Sequence, residues 1–192
     1  MKALVLLFFV GCASFNIGEP VNRYGAILQD NGDFGSAVSV GNGYFLTVTH
    51  VIADSGRYLL VWSEGIDSAF SIAWSRGDVS LLRSVGDAEP AVYGSVEIGD
   101  EVMLVQPILT PERSIRLKLF TARVSALSDS VVEFDHPVFP GVSGSGLFTR
   151  RGELVGIVVS LNVVYDQVIS GNAILLGTLI ERIEWKTKGG VP

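Results

Sequence analysis

A single cysteine in 192 residues excludes an intramolecular disulfide, so packing alone must hold the fold. There are only two histidines, and no cluster of His, Cys, Asp or Glu has ligand-like spacing. That scarcity argues against a metal centre, and nothing points to a cofactor. Charge is also sparse: charged residues make up 18%, with 20 acidic against 14 basic and a formal net charge of −6. Without a basic surplus, nucleic acid is not an expected partner. No apolar run reaches the ~20 residues that a membrane-spanning helix requires, and helix-favouring runs are few. What is abundant is apolar material, 48% of the chain, together with 22 glycines and many Val, Ile, Thr and Ser. This supports one well-filled domain and excludes a disordered chain. It tilts the fold towards all-β with many turns.

The start of the chain reads as an export signal. Met1-Lys2 precedes a short apolar stretch from Ala3 to Gly11, then Cys12-Ala13-Ser14. Val10-Gly11-Cys12-Ala13 resembles a bacterial lipobox, in which cleavage precedes a cysteine that becomes lipidated. Phe9 departs from it, since Leu is usual there. Residues 1–12 are then a signal segment, and a lipid on Cys12 would tether the mature chain to a membrane in the cell envelope or periplasm. Ordinary cleavage near Ala13 or Ser14, giving a secreted soluble protein, is the other reading.

The rest of the chain alternates short apolar runs with Gly, Asp, Asn, Ser and Pro. Strands are expected at 24–29, 35–40, 44–49, 57–62, 69–74 and 79–83. A second series is expected at 100–108, 115–127, 131–134, 146–149, 154–161, 167–170 and 173–176. Gly41-Asn42-Gly43 and Arg150-Arg151-Gly152-Glu153 read as tight hairpin turns. Leu176, Leu179, Ile180 and Ile183 form one apolar stripe at helical spacing, predicting a terminal helix over about 177–186. A soft boundary lies near 86–93. About twelve strands and one helix suggest two packed barrels or a sandwich.

Three segments carry candidate chemistry. In Gly41-Asn42-Gly43-Tyr44-Phe45-Leu46-Thr47-Val48-Thr49-His50, a glycine turn feeds an apolar strand that ends at a histidine. In Arg76-Gly77-Asp78-Val79-Ser80-Leu81-Leu82, a carboxylate stands immediately before a strand. In Pro140-Gly141-Val142-Ser143-Gly144-Ser145-Gly146-Leu147-Phe148, glycines flank a serine ahead of a hairpin. Taken singly, each has a plain structural reading: a core histidine, a capping aspartate, a flexible loop. Together they supply a nucleophile, a base to take its proton and a carboxylate to orient that base. Glycine at 141 also permits the unusual dihedrals that could aim two N–H groups at one oxyanion.

At this point the chain resembles the trypsin-like serine proteases. Leu46-Thr47-Val48-Thr49-His50-Val51-Ile52 is similar to their histidine motif, Asp78-Val79-Ser80-Leu81-Leu82 to their aspartate strand, and Gly141-Val142-Ser143-Gly144-Ser145-Gly146 to their nucleophile loop. Leu154-Val155-Gly156-Ile157-Val158 resembles the strand that follows. The order His, Asp, Ser is that of the chymotrypsin family. The resemblance runs from about Gly35 to Gly177, and the spelling around His50 is nearest to bacterial high-temperature-requirement proteases, here with no PDZ domain following.

The resemblance implies an all-β chain of two six-stranded antiparallel β-barrels, a chymotrypsin-like double barrel with a short C-terminal helix. The protease domain would cover 13–192, with barrels at about 23–88 and 92–177. It implies a serine endopeptidase acting on polypeptides, with His50 as base and then acid, Asp78 orienting it, Ser143 attacking, and the Gly141 and Ser143 amides as the oxyanion hole. The primary pocket would involve Pro137, Val138, Val159, Ser160 and Leu161. Pro137 stands where trypsin carries aspartate, so the lining implies small or aliphatic side chains rather than Lys or Arg. His136 has two readings, a substrate contact as in some viral relatives and a rim or structural histidine. Ser145 departs from the family's usual glycine. Val142 stands where digestive enzymes carry the aspartate that pairs with a new N-terminus, so that activation route is not expected.

Two other classes are weighed. An α/β-hydrolase needs G-x-S-x-G and the order Ser, Asp, His, and this chain has neither. A catalytically inactive protease-fold module that binds a peptide or partner is the stronger rival, although all three catalytic residue types are present.

Overall fold

The computed structural model describes residues 18–53, 56–63, 65–85, 91–109, 115–164 and 167–177. The leading segment with Cys12, residues 86–90 of the expected boundary, and the expected terminal helix beyond residue 177 lie outside the described residues.

The architecture is antiparallel β throughout. After a one-turn helix α1 (Gly18–Asn22) come β1 (Tyr24–Gln29), β2 (Phe34–Gly41) and β3 (Tyr44–Val48). A 3-10 turn (Thr49–Ile52) leads to β4 (Tyr58–Trp62), β5 (Gly65–Asp67), β6 (Ser71–Arg76) and β7 (Val79–Arg83). These strands form a curled seven-stranded sheet in the order β5-β4-β1-β2-β3-β7-β6. The second half comprises β8 (Glu101–Leu109), β9 (Ile115–Leu127), β10 (Val131–Phe134), β11 (Gly146–Thr149), β12 (Leu154–Val164) and β13 (Gln167–Leu175). It closes as a barrel in the order β10-β13-β12-β11-β8-β9.

Departures from the strand expectations have local causes. The Asp67 carboxylate accepts the Ala69 N–H at 2.7 Å, so 68–69 is a turn and β6 starts at Ser71 rather than at 69. β5 has three residues, too few for an alternating pattern to register. The expected break between 170 and 173 is absent: β13 runs straight through Gly171-Asn172. A side chain on Gly171 would run into the Phe134 ring, so this glycine permits close packing rather than a turn.

Two large apolar clusters fill the molecule. Val102, Leu104, Val124, Val132, Phe134, Leu147 and Val158 pack inside the closed barrel. The other cluster joins Ile27, Phe45, Leu46, Leu60 and Leu81 of the first sheet to Phe148, Leu154, Ile157 and Leu176 of the second half. The second cluster thus spans both halves, and the serine-bearing loop 140–145 lies at their junction. There Ser36 N–H on β2 donates to the Ser143 carbonyl at 2.8 Å.

Candidate active site

β3 and β7 pair antiparallel with Val48 opposite Val79. His50, two residues beyond the end of β3, therefore faces Asp78, the residue before β7. Gly77 makes the preceding turn at φ +58, a conformation that favours glycine. Thr49 ties the two segments together, its N–H donating to the Asp78 carbonyl at 3.1 Å and its Oγ1 to the Gly77 carbonyl at 3.2 Å. Both Asp78 oxygens then go to His50. Oδ2 lies 2.7 Å from Nδ1, and Oδ1 accepts the His50 backbone N–H at 3.0 Å. A carboxylate at Asp78 can only accept, so Nδ1 carries a proton, and in the neutral ring the lone pair is then on Nε2. The pair is partly open to solvent, with 48% of the His50 side chain and 40% of the Asp78 side chain exposed.

The serine loop is clamped to the first sheet. Gly141 and Gly144 have φ of +93° and +95°. A Cβ on Gly141 would overlap the Phe34 ring, and one on Gly144 would overlap the Ser36 carbonyl, so both positions require glycine twice over. Within the loop the Val142 N–H donates to Phe139 O, the Gly144 N–H to Val158 O and the Ser145 N–H to Val142 O. Among the described residues, no backbone acceptor takes the N–H of Gly141 or Ser143. No hydrogen bond among the described residues joins Ser143 Oγ to the imidazole, a contact that in such sites often tightens only with substrate bound.

Ser145, where glycine is usual, is fully buried and its hydroxyl donates to the Val105 carbonyl of β8 at 2.8 Å. The departure therefore adds an anchor between the loop and the closed barrel. Val142 is buried in that barrel's core, where an ion pair has no place.

The expected pocket residues are spread more widely. Val138 is 1% exposed and packs in the barrel core against Phe134. Pro137 and Val159 are half-buried, while Ser160 and Leu161 are exposed. Asn172 donates to Ser160 Oγ at 3.3 Å. The His136 ring stacks on Phe120 with centroids 4.5 Å apart, and its Nε2 is buried without a hydrogen-bond partner. Burial pushes the His136 pKa down, opposed in part by the charge of Asp135. Asp135 itself accepts the Arg123 N–H at 2.6 Å, which continues the pairing of β9 with β10 past Phe134. A cavity of about 610 Å³ lined by Tyr93, Val96, Glu101, Arg150 and Glu153, among others, includes none of the His50, Asp78 or Ser143 motif residues. No group of three or more potential metal ligands occurs among the described residues, and no described helix is long and apolar enough to cross a membrane.

The sequence reading missed Ser36 and Tyr24. Ser36 Oγ lies 2.6 Å from the Gly141 carbonyl and 3.1 Å from the Tyr24 hydroxyl, all in the interior. The only signal was a serine inside a mostly apolar strand, a mark that Ser39 on the same strand shares.

The curled sheet, which carries the His50–Asp78 pair, and the closed barrel, which carries the glycine-bounded serine loop, together form a chymotrypsin-type double barrel. The family model for the trypsin-like peptidase domain matches residues 35–157, and the chain belongs to that family. Among curated proteins it is similar to a probable periplasmic serine endoprotease, DegP-like, of Ectopseudomonas mendocina, with 32% identity over 126 residues, 60% of this chain and 27% of that protein. A DegP-like relative from Pseudomonas putida strain F1 is 29% identical over the same length, with 60% and 26% covered. The chain thus spans about a quarter of the length of these relatives. Among solved structures, the serine endoprotease of Yersinia pestis matches with a TM-score of 0.73 at 20% identity, covering 90% of this chain and 65% of that one. The active form of the Rv3671c protease of M. tuberculosis matches with 0.72 at 16% identity, covering 100% and 93%. At these identities the two structures speak to the fold.

Proposed function

We propose that the chain is a serine endopeptidase that hydrolyses peptide bonds through an acyl-enzyme. The observation that carries this reading is the double engagement of Asp78 by His50, with Nδ1 to Oδ2 at 2.7 Å. It leaves Nε2 as a base on the open side of the pair. Nε2 takes the proton of Ser143 Oγ as that oxygen bonds to the scissile carbonyl carbon. The carbonyl oxygen becomes an oxyanion, received by the N–H groups of Gly141 and Ser143. The imidazolium, stabilised by Asp78, returns the proton to the leaving amine as the C–N bond breaks. Water then repeats the sequence, splitting the ester and freeing Ser143.

Pro137, Val138, Val159, Ser160 and Leu161 are assigned to the primary pocket, favouring small or aliphatic residues before the cleaved bond. Val138 would act from beneath, by limiting depth. The barrels are assigned to about 23–88 and 92–177. The DegP-like relatives are named as periplasmic, which supports export of this chain. The lipobox-like spelling around Cys12 is the ground for assigning a lipid tether there.

The test is labelling of the domain from about residue 14 onward with a fluorophosphonate probe. Stoichiometric labelling, lost in both Ser143→Ala and His50→Ala, is the expected result. A folded wild-type domain that takes no label overturns the reading and favours the inactive peptide-binding module.

A further inference from the structure

Ser36 holds the nucleophile loop at two points. Its N–H donates to the Ser143 carbonyl at 2.8 Å, and its Oγ lies 2.6 Å from the Gly141 carbonyl. The same Oγ is 3.1 Å from the Tyr24 hydroxyl. A serine hydroxyl has one hydrogen, and a carbonyl can only accept. Ser36 therefore donates to Gly141, and the Tyr24 phenol donates to Ser36. Burial pushes the Tyr24 pKa well above its ordinary value, so it remains a donor at any working pH. Tyr24 on β1 and Ser36 on β2 are 4% and 0% exposed, so water cannot substitute for either partner.

The geometry gives this relay a function. The Gly141–Val142 peptide lies between the two N–H groups that no described backbone acceptor takes. Its carbonyl end is held by Ser36 and its N–H end by Phe139 O at 3.2 Å. An uncompensated change in ψ of Gly141 or φ of Val142 would turn one N–H away from the other. Glycine resists such rotation least of any residue. The ion pair that orders this loop in digestive enzymes is unavailable to Val142.

We propose that Tyr24 and Ser36 are positioning residues that keep the Gly141 and Ser143 donors convergent before substrate arrives, an inference that rests on the hydrolase reading above.

Ser36→Ala removes the donor to Gly141, and Tyr24→Phe removes only the hydroxyl behind it. Each is compared with wild type by kcat and KM on a peptide substrate, by the fluorophosphonate labelling rate, and by the amide NMR signals of Gly141 and Ser143. For Ser36→Ala the expectation is a kcat loss of about 10–100-fold, below the ~10²–10³ for deleting a donor outright. KM and the shape of the pH–rate profile stay as in wild type, because His50 and Asp78 are untouched, and both amide signals shift. Tyr24→Phe gives a smaller loss in the same direction. A folded Ser36→Ala with wild-type kcat, or with unmoved Gly141 and Ser143 signals, overturns the proposal. Should Ser36→Ala fail to fold, Tyr24→Phe decides by the same two readouts. An inert wild-type chain would sink the hydrolase reading alone: the amide comparison would still decide whether the relay positions these groups.

Discussion

Asp78 spends both oxygens on one residue, the side chain and the backbone N–H of His50. Asp78→Asn offers an NH2 where an acceptor is needed and favours the wrong imidazole tautomer. The expected outcome is a kcat loss of about 10⁴-fold with an unchanged melting temperature, read by peptide hydrolysis and calorimetry. Gly141→Ala places a methyl against the Phe34 ring at φ +93°. A loss of ~10²–10³ in kcat is expected, as for a missing oxyanion donor, and fluorophosphonate labelling should slow in step. His136 bears on pH. Its folded pKa is lowered from 6.5 by burial, so below about pH 6.5 the unfolded chain binds a proton that the folded one resists. The associated stability is complete above that pH and declines on acidification until the lower, folded-state value is passed. His136→Phe should shrink the fall in melting temperature between about pH 7.5 and 5.5; an unchanged fall would remove His136 as the cause. At this scale the sequence was legible where backbone geometry demands a residue type, as at Gly141. It was silent at Ser36, because a serine in a strand carries no mark of what its hydroxyl meets.

Individual strands place the chemistry. The register of β3 on β7 sets His50 against Asp78, and the hydrogen bonds that fix the pair lie at the strand ends, apart from the packing of the strands beneath. Leu81 is fully buried on β7. Leu81→Ala should cost about 2–5 kcal/mol, measured by urea unfolding, while kcat per folded molecule stays near wild type. Loss of kcat without loss of stability would contradict that separation. Strands β1, β7, β9, β10 and β11 begin and end where alternation and turn residues predict. β5 and the start of β6 did not follow the pattern, because Asp67 builds a turn from its own carboxylate, accepting from Ala69 N–H and Ser84 Oγ. The unbroken β13 was hidden because Gly171 looks the same in sequence whether it bends a strand or admits a phenyl ring.

At the scale of the whole molecule, one of the two large core clusters bridges the halves, with Phe45 and Leu81 meeting Phe148 and Ile157. Unfolding one half would strip that surface from the other. A single calorimetric transition is therefore expected, with calorimetric and van't Hoff enthalpies equal. Two resolved transitions would show that the halves are independent. By itself the sequence determined the all-β class, the order of His50, Asp78 and Ser143, and the glycines that bound the serine loop. These follow from alternation over a few residues and from dihedrals only glycine adopts freely, both local properties. Only the tertiary structure decided that the first half has seven strands, that Ser145 anchors to β8, and that Ser36 clamps Gly141. The physical reason is separation along the chain. Ser36 and Gly141 stand 105 positions apart, and a hydroxyl's partner at that distance is chosen by how the two halves pack.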